Sequence, residues 1–100
     1  MNNKIKKYIV SSADWSFEVD DFNAKDAAVS GLLFAYRKFR KDLLLSTVLM
    51  VNEKKFHKKN EVYFADFFPS YKILNEIGMH KEAKNFLEFV NSKHESEYIR

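Results

Sequence analysis

Several residue types are absent from this sequence or rare in it. Its 100 residues include no Cys, one Pro and two Gly. Without Cys no disulfide can form, which for a small domain is more typical of a reducing compartment. With so little Gly and Pro, long irregular loops and low-complexity linkers are not expected. The composition therefore favours an intracellular protein built mainly from regular secondary structure.

Long apolar runs are missing as well. The longest, Leu43 to Val51, is far shorter than the roughly 20 residues that a membrane-spanning helix needs. Met1 to Tyr8 is polar and rich in Lys, and Ser11 to Asp14 interrupts the short apolar run that follows. That pattern differs from a signal peptide. These features predict a cytoplasmic protein with no membrane partner.

What the chain does have is apolar and aromatic surface. Hydrophobic residues make up 46% of the sequence and aromatic residues 16%, with ten Phe. This is enough apolar surface to offset the entropy lost on folding, so the chain is expected to be globular. Its length favours one domain spanning residues 1–100.

The charge is modestly basic, with a formal net charge of +3. The electrostatic field from so small a net charge is weak for binding nucleic acid. The cations are also mostly Lys, which lacks the planar guanidinium group that Arg uses to recognise bases. Gln is absent, whereas Lys, Asn, Phe, Ile and Tyr are abundant. Because the codons of those residues are rich in A and T, a low-GC bacterium or one of its phages is the expected source.

Hydrophobic periodicity predicts a hairpin followed by a helix. The first strand is expected over Ile5–Ser11 and the second over Trp15–Asp20, where apolar and polar residues alternate. Asn23 is a favoured helix-capping residue, and apolar and small residues then recur at helical spacing over Ala24–Phe39. Basic residues crowd the end of this segment, where they favour the negative helix terminus.

The second half of the chain predicts one or two further strands and two helices. Leu43–Asn52 reads as a strand covered on both faces. Glu61–Asp66 is expected to be a fourth strand, although a helix starting at Asn60 is the alternative. Pro69 suits the first position of a short helix over Ser70–Ile77 that Gly78 ends. A last helix opens at Met79 or His80 and fades near Lys93, leaving residues 94–100 as a frayed tail.

Together these elements predict an α+β fold of order ββαβ(β)αα. The expected sheet is antiparallel or mixed and has three to four strands. One helix packs on it, and the two C-terminal helices form a hairpin. The expected core residues come from the central helix, the third strand and the last helix: Leu32, Ala35, Leu45, Val48 and Phe86.

Catalytic motifs are weak in this sequence. No Cys is present, and no serine lies in a Gly-x-Ser-x-Gly elbow. Gly31 and Gly78 are too far apart to form a phosphate-binding loop. Gly31 is better explained by close packing of a helix on a sheet, and Gly78 by helix termination.

Metal ligands are also poorly spaced, because none of the histidines His57, His80 and His94 has another at helical ligand spacing. No cofactor and no metal site are expected. Glu18 and Asp20 project from one face of the second strand, so they are the only candidate for an enzyme. A solvated acidic face explains them better. The sequence therefore predicts a protein that is not an enzyme.

Three basic groups are spread along the chain, near Lys6, near Arg40 and over Lys54–Lys59. The last group has an aromatic residue among its cations, so it could contact a phosphate backbone and stack a base. The candidate nucleic-acid residues are Lys54, Lys55, Phe56, Lys58 and Lys59. A weak RNA- or DNA-binding domain is therefore the alternative function, although Lys-rich runs are more often simply solvated loops.

The leading interpretation is a small accessory protein, bacterial or phage, that acts by binding protein. Leu43–Val51 is apolar on both faces, and Tyr63–Tyr71 is rich in aromatic residues. Part of this surface is expected to pair two copies of the chain as a homodimer. The candidate interface residues are Leu45, Thr47, Leu49, Tyr63, Phe67, Phe68 and Tyr71. Nothing in the sequence identifies a different protein partner.

Overall fold

The computed structural model describes residues 4–54 and 65–98, with side chains described up to Asn91. In chain order the elements are β1 (Lys6–Ser12), β2 (Trp15–Asp21), α1 (Ala24–Phe39), β3 (Val48–Glu53), β4 (Asp66–Pro69), α2 (Ser70–Glu76) and α3 (His80–Tyr98). The strands form one antiparallel sheet in the order β2-β1-β3-β4. The predicted α+β class and element order are confirmed.

The β1–β2 hairpin and α1 form where local patterns predicted them. Ser12 pairs with Trp15, so the hairpin turns through Ala13 and Asp14. The Asn23 side-chain oxygen accepts a hydrogen bond of 2.8 Å from the N–H of Asp26, which satisfies a donor at the start of α1. Both elements depend on neighbours in the sequence, so local patterns sufficed to find them.

The prediction of a strand from Leu43 is wrong, because β3 begins only at Val48. The backbone before it forms hydrogen bonds with side chains. The Trp15 indole N–H donates to the carbonyl of Leu44 at 2.7 Å, and the Ser70 hydroxyl donates to the carbonyl of Ser46 at 2.7 Å. The Ser46 N–H donates to the hydroxyl of Ser12 at 3.0 Å. Side-chain partners thus satisfy groups that a strand would have paired with its neighbour.

The fourth strand lies later than expected. Of the predicted Glu61–Asp66 strand, residues 61–64 lie outside the described part, and β4 starts at Asp66 and ends at Pro69. Pro69 is therefore the last residue of a strand and not the first of a helix. A proline fits there because β4 is an edge strand among the described strands, with β3 as its neighbour.

The C-terminal helical hairpin is confirmed, with one change in length. Gly78 adopts a φ of 83°, the left-handed conformation that commonly ends a helix, between α2 and α3. The backbone N–H of Met79 donates to the carbonyl of Leu74 at 2.9 Å, closing the turn. The predicted end of the last helix near Lys93 is wrong, since α3 continues through Tyr98. Fraying of residues 94–100 remains a prediction.

Helix α1 covers one face of the sheet and forms the core with it. The fully or nearly fully buried core residues include Val10, Ala28, Leu32, Ala35, Leu49, Val51 and Ile73. Burial of the predicted Leu32 and Ala35 is thus confirmed, and Leu45 and Phe86 are half-buried against the core. Val48 was wrongly placed there, because Leu49 and Val51 turn toward α1 and Val48 therefore turns to the opposite face.

Gly31 allows α1 to lie close to β1. A Cβ atom added there would lie 2.5 Å from the Cβ of Val10, well inside any tolerable contact. The predicted explanation of Gly31 as a close-packing residue is confirmed. This close contact holds α1 on one face of the sheet. No helix among the described residues covers the other face.

Candidate interaction surfaces

The sheet face opposite α1 carries an apolar half, which we call the open apolar face: Ile9, Val48, Met50, Phe67 and Pro69. Register brings four of these residues together, because Met50 pairs with Phe67 and Val48 pairs with Pro69. Ile9 pairs with Glu18 and Asn52, at the border with the polar half of the face. Phe67 is 60% exposed, although an aromatic ring of this size is among the most favourable side chains to bury. An antiparallel sheet can leave one face to water, but such a face is normally polar. This half is therefore suited to contact another apolar surface.

The other half of the same face is polar and its charges are already paired. The Lys7 ammonium lies 3.1 Å from the Asp20 carboxylate and 3.7 Å from that of Glu18. The Lys54 ammonium lies 3.1 Å from the second oxygen of Glu18. Pairing with Asp20 raises the pKa of Lys7, with Glu18 adding to the effect. These ion pairs are exposed, so they contribute little to stability, but they neutralise Lys7, Lys54, Glu18 and Asp20, the described charges beside the apolar half.

The face therefore joins an apolar half to a band of ion-paired residues on one side, which we call the polar rim, and protein interfaces likewise combine apolar and polar parts. The acidic pair Glu18 and Asp20, the only candidate for an enzyme, lies in that rim. Lys7 on the neighbouring strand β1 contacts both carboxylates, and Lys54, just after β3, contacts Glu18. Among the described residues no three His, Cys, Asp or Glu side chains are grouped to hold a metal ion.

A second apolar feature is a cleft between the C-terminal end of α1 and the helical hairpin. We call it the helical cleft. Its volume is about 350 Å³, and its lining is mostly apolar: Tyr36, Leu43, Leu45, Leu74, Met79 and Phe86, with Arg40, Lys41 and Glu82. None of these residues belongs to the open apolar face. The two surfaces are therefore separate.

The positive charge on the helical cleft lies on one wall, where Arg40 and Lys41 follow each other at the end of α1. Within residues 4–54 and 65–91, no carboxylate lies at ion-pair distance from Arg40 or Lys41. Arg40 also has an unusual backbone, with φ 50° and ψ −122°, where a side chain is strained and Gly is favoured. Its N–H still donates to the carbonyl of Tyr36, and its carbonyl accepts from the N–H of Leu43 at 3.1 Å. The strained turn thus places a cation beside the apolar lining.

Tyr8 lies on the buried face of the sheet, at the end away from the helical cleft. Burial raises the pKa of its hydroxyl, and the carboxylates of Glu53, Asp66 and Asp21 raise it further. A raised pKa keeps the hydroxyl protonated at neutral pH, so even less of the nucleophilic phenolate is present. The group therefore has the character of a buried structural tyrosine.

The predicted interface residues are distributed over different environments. Phe67 and Thr47 are exposed, whereas Leu45, Phe68 and Tyr71 are half-buried against the core. Leu49 is fully buried inside the protomer, so its side chain is not on the surface. Tyr63 lies outside the described part. Of the aromatic residues in this set, Phe67 is the one that the described structure leaves exposed.

The predicted nucleic-acid segment can be placed only at its first residue. Lys54 is exposed and paired with Glu18, whereas Lys55, Phe56, Lys58 and Lys59 lie outside the described residues. Of the histidines, His57 also lies outside and the side chain of His94 is not described. The ring of His80 lies 3.0 Å from the side-chain oxygen of Asn75. Nucleic-acid binding stays a prediction from sequence.

Sequence reasoning missed most of the open apolar face. The signal was present in β1, where Ile9 is apolar between the apolar Tyr8 and Val10, so both faces of the strand carry apolar side chains. Val48 and Met50 give the same signal in β3, where the apolar run predicts a strand covered on both faces. The helical cleft left no signal in sequence, because four separate segments form it.

No family model, curated protein or solved structure matches this chain. Among the helices of the described region, none combines the length and the hydropathy needed to cross a membrane.

Proposed function

We propose that this protein is a non-enzymatic, cytoplasmic accessory protein that works by binding protein, and that it forms a homodimer through the open apolar face. The observation that carries the proposal is the exposed Phe67 beside Met50 on a sheet face that no described helix covers. Burying apolar surface contributes about 25 cal/mol per Å², so this face gains free energy when a second surface covers it.

A second copy suits this face because its pattern is self-complementary. A two-fold axis would bring one apolar half onto the other and leave both sets of ion pairs at the rim. The rim lysines and carboxylates are already paired within each copy, so the dimer would bury no unpaired charge. Avoiding such a charge matters, since an unpaired buried ion costs several kcal/mol, roughly 3–5 when one partner is missing.

Sedimentation equilibrium over a wide concentration range tests the proposal. The wild-type chain is expected to approach twice its monomer mass of 11.9 kDa. Phe67→Glu is expected to shift the chain to monomer, because it places a carboxylate in the centre of the contact. Phe89→Glu is the matched control, since Phe89 is 65% exposed on α3 and lies away from this face.

A wild-type species near 11.9 kDa at all concentrations, in low and high salt alike, would contradict the proposal. Equal weakening by Phe89→Glu would place the contact elsewhere and also contradict it. Salt separates apolar pairing from the nucleic-acid alternative, because phosphate binding falls steeply as salt rises. Over the same salt range, the fraction of dimer is expected to fall little.

A further inference from the structure

The helical cleft combines a partly open apolar lining with two adjacent cations, Arg40 and Lys41, that have no carboxylate partner among the described residues. Leu43, Leu45 and Phe86 are half-buried and pack against the core, so the lining is fixed and not a loose flap. Its volume of about 350 Å³ is at the small end of ligand-binding pockets, which run from roughly 300 to 1,000 Å³. One or two large side chains would fill it.

The charges indicate what accompanies such a side chain. Arg40 and Lys41 lie on the wall formed by the end of α1 and the turn after it, whereas the opposite wall, on α3, carries Glu82. The C-terminal end of α1 adds a partial negative charge, but two full cations outweigh it. A carboxylate beside the apolar side chain would therefore meet Arg40 and Lys41, and the guanidinium of Arg40 can bind it with two hydrogen bonds.

We propose that the helical cleft binds a short segment of a partner protein that inserts an apolar side chain and presents an Asp or Glu beside it. This proposal goes beyond dimer formation but rests on the proposed function in that both assign the protein a binding role. A second copy is not the proposed occupant, because none of the cleft residues belongs to the open apolar face. Both surfaces can be occupied at once.

The probe for the test is a displayed library of random linear peptides, selected on the immobilised wild-type chain. The selected peptides are expected to share a Leu, Met or Phe adjacent to an Asp or Glu. A fluorescent synthetic copy of the best binder is then titrated by anisotropy. On the labelled protein, the methyl signal of Met79 is expected to shift on binding, whereas that of Met50 is expected to stay in place.

Charge reversal supplies the decisive comparison. The double variant Arg40→Glu/Lys41→Glu is expected to weaken peptide binding about tenfold or more, since it replaces attraction by repulsion. Lys81→Glu/Lys84→Glu is the matched control with the same change in net charge on exposed residues outside the cleft, and it is expected to change affinity less than about twofold. Lys41→Glu alone, which leaves the strained Arg40 backbone untouched, is the second test variant. Circular dichroism of every variant confirms that it is folded.

Several outcomes would overturn the proposal. They are selected peptides without an acidic residue, equal weakening by the control pair, or a shift of Met50 in place of Met79. Failure of the dimer is a separate result, because Phe67→Glu is expected to abolish self-association and leave peptide affinity unchanged. A chain that dimerises but selects no peptide would overturn this inference and leave the proposed function standing.

Discussion

At the scale of single residues, burial of Leu32 gives the firmest expectation. Its side chain is fully buried where α1 meets the sheet. Leu32→Ala is expected to lower the free energy of unfolding by about 2–5 kcal/mol, through lost apolar burial and the cavity left behind. Denaturant unfolding measures this. A loss well below about 1 kcal/mol would mean that α1 does not pack on the sheet through this residue.

At Arg40 the residue that is best for stability is expected to differ from the residue that is best for peptide binding. Its positive φ strains any residue with a Cβ atom, so Arg40→Gly is expected to raise the free energy of unfolding by about 1 kcal/mol. Arg40→Ala keeps the Cβ and the strain, so it is expected to bring no such gain. Both variants lose the cation and should weaken peptide binding to the helical cleft. Equal stability of the two variants would contradict the strain described for this turn.

At the scale of elements, the contact of α1 with β1 depends on Gly31. Gly31→Ala is expected to lower the free energy of unfolding by about 1–3 kcal/mol, because its Cβ would overlap the side chain of Val10. In a Val10→Gly background the same substitution is expected to cost less, since the Val10 Cβ at 2.5 Å and the methyl groups at 2.6 and 2.9 Å are all gone. A double-mutant cycle by denaturant unfolding measures the coupling. Strictly additive effects would contradict this close approach.

Elements defined by neighbouring residues were predictable from sequence, and those defined by distant partners were not. Asn23 caps the start of α1 by accepting from the N–H of Asp26, and Gly78 lies in the turn that follows α2. The start of α1 and the end of α2 can therefore be recognised from neighbouring residues. Residues 43–47 have strand composition, yet Trp15 and Ser70 take hydrogen-bonding groups that a strand would pair. Neither partner is close in sequence, so hydrophobicity alone suggested a longer strand.

The candidate surfaces also differ in how far local sequence predicts them. The shared face of Glu18 and Asp20 could be anticipated from the alternation of residues in β2, whereas their pairing with Lys7 and Lys54 depends on strand register. The open apolar face needed the register that sets Met50 beside Phe67, which depends on pairing across a connection that includes residues 55–64. The helical cleft needed the packing of α1 on the helical hairpin, which no local pattern specifies.

At the scale of the whole molecule, alkaline pH is expected to reduce stability. The folded state raises the pKa of Tyr8 above its ordinary value of 10.0, so the unfolded chain releases this proton first. The resulting stabilisation is complete below that value and is lost as pH rises through the folded pKa. The raised pKa of Lys7, ordinarily 10.5, acts in the same direction.

Tyr8→Phe isolates the tyrosine contribution to this pH dependence. The variant is expected to lose less stability than wild type between neutral pH and the range above pH 10.0, with a residual loss from Lys7. Denaturant unfolding at several pH values provides the comparison. Identical pH profiles for the two proteins would mean that Tyr8 titrates normally in the folded state.

The central claim is that two copies meet through the open apolar face, and isotope-filtered NMR tests it most directly. Chain with labelled Met methyl groups is mixed with unlabelled chain, so that only contacts between copies are recorded. Of the three methionines, Met50 lies on this face and Met79 lies in the helical cleft. The account predicts intermolecular signals from the Met50 methyl group to aromatic protons of Phe67 in the other copy. Intermolecular signals from Met79 alone, or none at concentrations where sedimentation shows dimer, would contradict it.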